Sequence, residues 1–206
     1  MNMTNHKRYF ITVLLLTFCL FGLKAQNAAK AKQILDKTAA ILNRKGGSTA
    51  NFTISSANIG SVSGTISIKG NKFFASTPQA KTWFNGKTQW TYVVSSNEVN
   101  ISNPSAEQQA KMNPYHFISL YKTGYKMSLK EEGSNYVIHL TSKKKAIQDI
   151  YITINKRTNI PSVVKIKERG KWIRLTVKNF KSAQLSDAKF NFNSKDFPKA
   201  EIIDLR

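Results

Sequence analysis

Short segments in which apolar and polar side chains alternate dominate the sequence from Asn51 onward. In the segment 61–69, for example, Val62, Ile66 and Ile68 are separated by polar residues. Alternation with a period of two predicts a strand with one buried face, because successive side chains of a strand point to opposite faces of the sheet. Strands at such short and regular spacing are typical of an antiparallel meander rather than of strands joined by helices. The sequence therefore predicts a mainly β protein.

The spacing of these segments predicts about 11 strands. Asn85-Gly86, between two aromatic segments, indicates a hairpin, because both residues tolerate a positive φ. Further turns are predicted at Gly133-Ser134, at 155–159 and at Arg169-Gly170. The strand-like segments lie at 52–54, 62–68, 73–74, 81–84, 89–94, 98–101, 125–129, 136–140, 147–154, 162–167, 172–177 and 188–192.

Two regions of the mature chain lack the strand pattern. The segment 28–43 carries one apolar stripe at helical spacing, and Gly46-Gly47 provides its stop, because a left-handed residue after a helix is easiest for glycine. The segment 103–122 predicts two short helices, with Asn113 as a cap and Pro114 at the first helical position. Both regions carry apolar side chains, so each is expected to pack on the sheet.

A sheet of about 11 strands must curl or split. If it curls incompletely, its apolar concave face has to be covered by helices or by a ligand. A lipid pocket and an ordinary packed core explain the same residues, and the pattern leaves both interpretations open. No linker divides the chain, so we expect one α+β domain.

The N-terminal segment has the pattern of a secretion signal. Basic Lys7-Arg8 precedes an apolar run at 11–23, and the small residue Ala25 stands where a signal peptidase would cut. The run is shorter than the roughly 20 residues that a spanning helix needs. We therefore expect a signal peptide at 1–25, cleaved near Ala25, and a single mature domain at 26–206 in the periplasm.

The only cysteine, Cys19, lies inside the apolar run of this signal. It follows the bulky Phe18 rather than a small residue, so it is interpreted as one more apolar side chain and not as a site of lipid attachment. The mature chain then has no cysteine, which excludes thiol catalysis and metal binding by cysteine.

The chain is strongly basic, with 32 Lys+Arg against 11 Asp+Glu and a formal charge of +21. Removal of residues 1–25 takes away three cations and leaves a charge of +18. Such a balance favours an anionic partner, and secretion makes nucleic acid the least expected one. The lysine-rich stretches 143–145 and 165–171 fit an ordinary solvated sheet face. They also fit a surface attracted to anionic lipid headgroups or to an acidic partner.

No catalytic motif is found in the sequence. It lacks a Gly-x-Ser-x-Gly elbow, a glycine-rich phosphate loop and a His-Glu-x-x-His pair. His116 and His139 stand alone, without a cluster of metal ligands. Glu131-Glu132 precedes a predicted turn and is interpreted as part of that turn. We therefore expect no enzymatic activity, no cofactor and no bound metal.

Five segments, taken in order, resemble the outer-membrane lipoprotein carrier family (LolA-like). They are GTISIKGNKFF at 64–74, KTWFNGKTQWTY at 81–92, EVNI at 98–101, NPYHFISL at 113–120, and the C-terminal stretch 190–206 with its FNF, FP and IIDLR motifs. No segment is diagnostic alone, but their order and spacing extend the resemblance over essentially the whole mature chain.

The resemblance implies an unclosed antiparallel β-barrel covered by an N-terminal helix and a short helical lid. It also implies a monomeric periplasmic carrier, which takes acylated lipoproteins from an inner-membrane release complex and passes them to an outer-membrane acceptor. By the same resemblance, cavity and lid candidates for binding the acyl chains are Phe74, Trp83, Trp90, Tyr92, Phe117, Ile118 and Leu120.

One departure from the family pattern lies after the segment 66–69. Well-studied carriers have an arginine followed by proline there, and that arginine contacts the lid, whereas this chain has Gly70-Asn71. Distant relatives of the fold act as lipid-sensing regulators. The alternative to a carrier is therefore a lipid-sensing or lipid-binding module of the same fold.

Overall fold

One twelve-stranded sheet makes up most of the fold. The computed structural model describes residues 26–58, 60–105, 108, 120–145 and 147–206. Helix α1 covers residues 26–42. The strands are β1 Ser48–Ser56, β2 Gly60–Lys69, β3 Lys72–Ser76, β4 Ala80–Phe84, β5 Gln89–Val93, β6 Glu98–Ser102, β7 Lys126–Glu132, β8 Asn135–Thr141, β9 Ile147–Asn155, β10 Pro161–Glu168, β11 Lys171–Ser182 and β12 Glu201–Asp204.

Two antiparallel meanders, β1 to β6 and β7 to β11, form this sheet. Its order is β12-β6-β5-β4-β3-β2-β1-β11-β10-β9-β8-β7, so the pairing of β1 with β11 joins the two meanders. Every pair is antiparallel except β12 with β6. The edge strands β12 and β7 are not neighbours, and the sheet is therefore unclosed. These features confirm the predicted fold class of a mainly β, unclosed sheet with an N-terminal helix.

The last strand is not where the sequence pattern placed it. The strand predicted at 188–192 is wrong, because a 3₁₀ helix, Asp187–Phe190, occupies most of that segment. The final strand is β12, which adds parallel to β6. Phe190 and Phe192 are spaced as in a strand, but Phe190 is the buried last residue of the 3₁₀ helix, and the ring of Phe192 packs against Trp83 of the sheet.

The predicted signal peptide and most of the predicted lid lie outside the described residues. Within the segment 103–122, the structure describes its first residues, residue 108 and the start of a 3₁₀ helix, Leu120–Thr123. Tyr121 in this helix is buried in the core. The two short helices predicted for the lid therefore stay a prediction.

The two faces of the sheet pack against different parts of the chain. Residues that pair directly across neighbouring strands share a face. Phe73 pairs with Ile68 and with Phe84, and these three side chains lie on the face that we call the inner face. Phe74 pairs with Trp83 on the opposite, outer face. The inner-face side chains and α1 form one hydrophobic core, whose fully buried members include Ala31, Leu35, Ile138, Leu140, Ile150, Ile152 and Ile154.

Helix α1 lies on the inner face because it carries one apolar stripe. Its buried side chains are Ala31, Ile34, Leu35, Thr38 and Leu42, at spacings of three and four residues. The stripe predicted from the sequence is therefore the face of the helix that contacts the sheet.

Gly47 allows the chain to turn from α1 into β1. Its φ is +94°, a region that favours glycine. A Cβ atom there would lie 2.6 Å from the carbonyl oxygen of Ile68. The carbonyl of Gly47 also accepts a hydrogen bond of 3.0 Å from the backbone N–H of Ala183. The predicted glycine stop thus also brings the end of β11 against the start of β1.

Candidate functional site

Part of the inner face carries apolar side chains that are not fully buried. Ile54 of β1 pairs with Val62 of β2, and the next inner-face residue of β1, Ser56, pairs with Ile173 of β11. Ile54, Val62 and Ile173 are each only half-buried, in contrast to the fully buried core beneath α1. We call these three side chains the inner strip. They offer apolar surface on the covered side of an unclosed sheet.

A hydrogen bond connects α1 to the segment that follows the predicted lid. The hydroxyl of Tyr121, in the 3₁₀ helix Leu120–Thr123, donates to the carboxylate of Asp36 on α1. This bond, with a second one from Lys32, lowers the pKa of Asp36. Burial, together with the carboxylate, raises the pKa of Tyr121. The end of the lid segment is therefore fixed to the helix that covers the core.

A second contact fixes the first turns of α1 to the sheet. Glu131 of β7 lies 2.6 Å from Nζ of Lys30 on α1 and 2.7 Å from Nζ of Lys156, which follows β9. Hydrogen bonds from Lys156 and then Lys30 lower the pKa of Glu131 from its ordinary 4.5 to about 2. Both ammonium groups also lie over the ring of Tyr136, 5.7 Å and 5.3 Å from its centroid. Glu131, interpreted as a turn residue in the sequence, thus holds the helix in place.

Four of the predicted lipid-binding residues lie on the outer face. Phe74 pairs with Trp83, and Trp83 pairs with Trp90. Tyr92 pairs with Lys81, which lies two residues before Trp83 on β4 and therefore on the same face. The structure therefore brings these side chains together, but on the side of the sheet opposite α1. Their contact with lipid is not tested by this placement and stays a prediction.

The C-terminal segment covers this aromatic surface. Trp83 is 8% exposed, and its ring centroid lies 5.5 Å from that of Phe192 and 5.6 Å from that of Phe197. The ring of Tyr92 lies 4.6 Å from that of Phe197. We call this group the outer cluster, and its members are Phe74, Trp83, Tyr92, Phe192 and Phe197.

Ion pairs fix the beginning of the same segment. The carboxylate of Asp187 lies 2.9 Å from Nζ of Lys69 and 3.0 Å from Nζ of Lys72. Nζ of Lys69 also donates a hydrogen bond of 2.9 Å to the carbonyl of Leu185. The bonds from the two lysines lower the pKa of Asp187. Lys69, next to the position where the family has its lid-contacting arginine, therefore binds the C-terminal segment.

Leu120 is the one lid candidate that the structure describes. It is partly buried and packs against the core of the inner face. Phe117 and Ile118 lie outside the described residues. The three lid candidates therefore stay predictions, although Leu120 lies on the same side of the sheet as α1.

The inner strip was not among the residues singled out from the sequence. Its members are ordinary aliphatic residues of β1, β2 and β11, and their alternation shows only that they share a face with their neighbours. The resemblance to the family pointed instead to aromatic residues of β3, β4 and β5. Only the position of α1 distinguishes the two faces.

No group of three or more His, Cys, Asp or Glu side chains that could hold a metal ion occurs among the described residues. In that same part of the chain, no helix combines the length and the apolar character needed to cross a membrane.

A comparison with known protein families follows from the unclosed sheet and its N-terminal helix. The family described as "Outer membrane lipoprotein carrier protein LolA" matches residues 21–170. The chain belongs to this family. Its resemblance to LolA-like carriers is thereby confirmed over more than half of its length. The description of the family is that of a carrier protein. A comparison with curated proteins finds no significant match.

Several solved structures are similar to most of the chain. An uncharacterized conserved protein from Thermus thermophilus is 16% identical, with a TM-score of 0.59 over 85% of this chain and 99% of that one. MucB of Pseudomonas aeruginosa is 13% identical, with a TM-score of 0.52 over 85% of this chain and 66% of that one. The LolA superfamily protein NE2245 from Nitrosomonas europaea is 13% identical, with a TM-score of 0.45 over 79% and 97%. At these identities, the first two establish the shared fold only.

Proposed function

We propose that this LolA-family protein is a periplasmic carrier that binds the acyl chains of lipoproteins and moves them from the inner to the outer membrane. The observation that carries the proposal is the inner strip, since its apolar side chains are only partly buried on the covered side of an unclosed sheet. An acyl chain lying on Ile54, Val62 and Ile173 would remove their apolar surface from water. The family match over 21–170 supports the same function.

Half-burial suits a protein that must release its cargo. Each buried CH₂ of an acyl chain contributes about 0.8 kcal/mol, so completely buried chains would be held too tightly for transfer. An open strip contacts a chain on one side only and leaves its other side for the lid or the partner. The proposed partners are an inner-membrane release complex and an outer-membrane acceptor, with the carrier as a monomer of residues 26–206 after removal of a signal peptide at 1–25.

The alternative is a lipid-sensing module of the same fold. The observation in its favour is the turn at Gly70-Asn71, which replaces the arginine that contacts the lid in well-studied carriers. The neighbouring Lys69 is bound to Leu185 and Asp187 of the C-terminal segment. A sensor would bind lipid without extracting lipoproteins from a membrane.

The carrier proposal is tested by lipoprotein release. Protein purified from the periplasmic fraction is incubated with spheroplasts that carry radiolabelled lipoprotein, and the label in the soluble fraction is measured. We expect the wild type to release lipoprotein and Val62→Glu to release at least about tenfold less, because a carboxylate on the inner strip opposes burial of an acyl chain. Ser61→Glu is the matched control, since Ser61 lies one residue away on β2 and points to the outer face.

A second comparison decides which face binds lipid. Binding of a hydrophobic fluorescent probe is measured for Val62→Glu and for Phe74→Glu, with circular dichroism as a check of folding. We expect Val62→Glu to lose affinity for the probe. A loss of affinity confined to Phe74→Glu would instead support the outer-face residues, predicted from the sequence, as the lipid-binding site. Probe binding without any lipoprotein release would contradict the carrier and support the sensor.

A further inference from the structure

The outer face of β7 to β11 carries an open groove of about 840 Å³. One row of side chains crosses its floor: Ser128 pairs with His139, His139 with Tyr151, Tyr151 with Lys165, and Lys165 with Arg174. Ile173 of the inner strip also borders this outer groove, but its side chain shares the inner face with its partners Ser56 and Ile166, whereas the row on the groove floor lies on the opposite face of the sheet. Strands β1 and β2, which present serine and threonine on this face, separate it from the outer cluster. The groove is therefore a surface distinct from the proposed lipid site.

Aromatic rings in the groove are held in fixed positions. The rings of His139 and Tyr151 are stacked, with centroids 4.2 Å apart and an angle of 2° between their planes. Nε2 of His139 lies 2.8 Å from the carboxylate of Asp149, which orients the imidazole. The ring of Trp172 lies 5.9 Å from that of Tyr151 and is 44% exposed. Because these rings are already ordered, a partner that packs on them loses little additional conformational entropy.

Two cations stand side by side next to these rings. Lys165 and Arg174 are exposed and directly opposite each other on β10 and β11. Like charges in this position destabilise a strand pair. The acidic groups of the groove are already engaged, since Glu132 lies 2.9 Å from Nζ of Lys130 and Asp149 contacts His139. Within the described part of the chain, neither Lys165 nor Arg174 forms an ion pair.

A bound carboxylate would offset this repulsion, and the guanidinium of Arg174 can hold it through two parallel hydrogen bonds. Trp, Tyr and Arg are also the residue types that contribute most to binding energy at protein interfaces, where they cluster at the centre of the contact. Trp172, Tyr151 and Arg174 cluster in this way. A flat bilayer fits the groove less well, because the half-buried rings of His139 and Tyr151 lie on its floor.

We propose that the outer groove docks an acidic segment of a partner protein. Carboxylates of the segment bind Lys165 and Arg174, and an apolar side chain of the segment packs on Tyr151 and Trp172. The formal charge of +18 on residues 26–206 steers such a segment toward the protein from a distance. This inference does not depend on lipid binding, because the groove and the inner strip lie on opposite faces.

The test uses a fluorescein-labelled peptide with a repeated Glu-Leu-Ser sequence. Its fluorescence anisotropy is followed as the protein of residues 26–206 is added. We expect saturable binding that weakens as salt is raised, and at least about tenfold weaker binding of a peptide with Gln in place of Glu. Lys165→Gln combined with Arg174→Gln should weaken binding by about tenfold or more, and so should Trp172→Ala. The matched control is Lys178→Gln combined with Lys181→Gln, which removes the same charge from exposed positions of β11 outside the groove.

If the Lys165→Gln, Arg174→Gln variant and the matched control lose the same affinity for the peptide, the proposal is overturned. Binding would then depend on net charge alone. No binding of the acidic peptide, or unchanged binding to Trp172→Ala, would overturn it as well. If vesicles containing phosphatidylglycerol or oligomers of polygalacturonate bind the groove more tightly than the peptide, the occupant is a membrane or an anionic glycan instead. Lipoprotein release is measured on the same variants, so failure of docking and failure of the carrier proposal are distinguished.

Discussion

Single side chains with several partners hold the helix and the sheet of this protein together. Glu131 accepts hydrogen bonds from Lys30 of α1 and from Lys156 beyond β9. All three side chains are partly exposed, so solvent weakens each pair, and the network depends on the combination of two cations on one carboxylate. The residue thus connects the N-terminal part of α1 with the end of two hairpins.

The lowered pKa of Glu131 predicts a pH dependence of stability. A carboxylate whose pKa falls from 4.5 to about 2 on folding stabilises the protein above pH 4.5, and this contribution is lost as the pH falls toward 2. Glu131→Gln should therefore be less stable than the wild type at pH 7 and equally stable near pH 2. Urea unfolding followed by circular dichroism at several pH values measures the difference.

The control for this prediction removes the two cations. In a Lys30→Gln, Lys156→Gln background, Glu131→Gln should change the free energy of unfolding by an amount that no longer varies across the acid range. A pH-dependent difference that survives in this background would show that another interaction perturbs Glu131.

Gly47 gives a second residue-scale prediction. Gly47→Ala should lower the free energy of unfolding by about 2–3 kcal/mol, because it combines a positive φ with a contact of 2.6 Å between the new Cβ and the carbonyl oxygen of Ile68. Gly124→Ala is the matched control, since Gly124 has a φ of +84° but no heavy atom within 4 Å of a new Cβ. We expect Gly124→Ala to lower the free energy of unfolding by about 1 kcal/mol. Equal costs for the two variants would mean that the chain relaxes around Gly47.

The C-terminal segment acts as a unit that covers the outer face. Its 3₁₀ helix Asp187–Phe190 is anchored by two lysines, its rings cover Trp83, and β12 extends the sheet next to β6. Asn97 adds a further hydrogen bond of 2.7 Å by donating to the carbonyl of Lys199. The segment therefore forms a second, smaller apolar core on the side opposite α1.

Phe190, the last residue of the 3₁₀ helix in this segment, is fully buried, with 0% exposure. We expect Phe190→Ala to lower the free energy of unfolding by about 3–5 kcal/mol, because it removes a fully buried ring and leaves a cavity. Leu205→Ala, at a position that is 65% exposed, should change it by less than about 0.5 kcal/mol. Denaturant unfolding compares the two. Similar small effects in both would show that the segment contributes little to the folded state.

The molecule as a whole combines an open sheet with two unlike faces. The inner face carries α1 and the main core, whereas the outer face carries the outer cluster on one half and the basic outer groove on the other. Lys126 and Lys130 lie on the edge strand β7, where charge discourages pairing with another sheet. Lipoprotein release therefore tests the inner face, and peptide docking tests the outer face of the same sheet. Measuring both activities on the same variants distinguishes the two sites.

The sequence by itself determined most of the elements and their order. Period-two alternation located most strands, the apolar stripe located α1, and Gly46-Gly47 located its end, because each of these signals depends on neighbours along the chain. The ordered motifs likewise identified the LolA-like family. Period-two alternation wrongly predicted a strand at 188–192, because two phenylalanines two residues apart have the same spacing without forming a strand.

Only the tertiary structure decided which face of each strand meets α1. Alternation shows that Phe73 and Phe74 point to opposite sides, but the side that becomes the interior depends on which distant element packs there. The pairing of β1 with β11 and the return of the C-terminal segment to Trp83 join residues about a hundred positions apart. For that reason the inner strip and the outer groove emerged from the fold, although every residue in them is visible in the sequence.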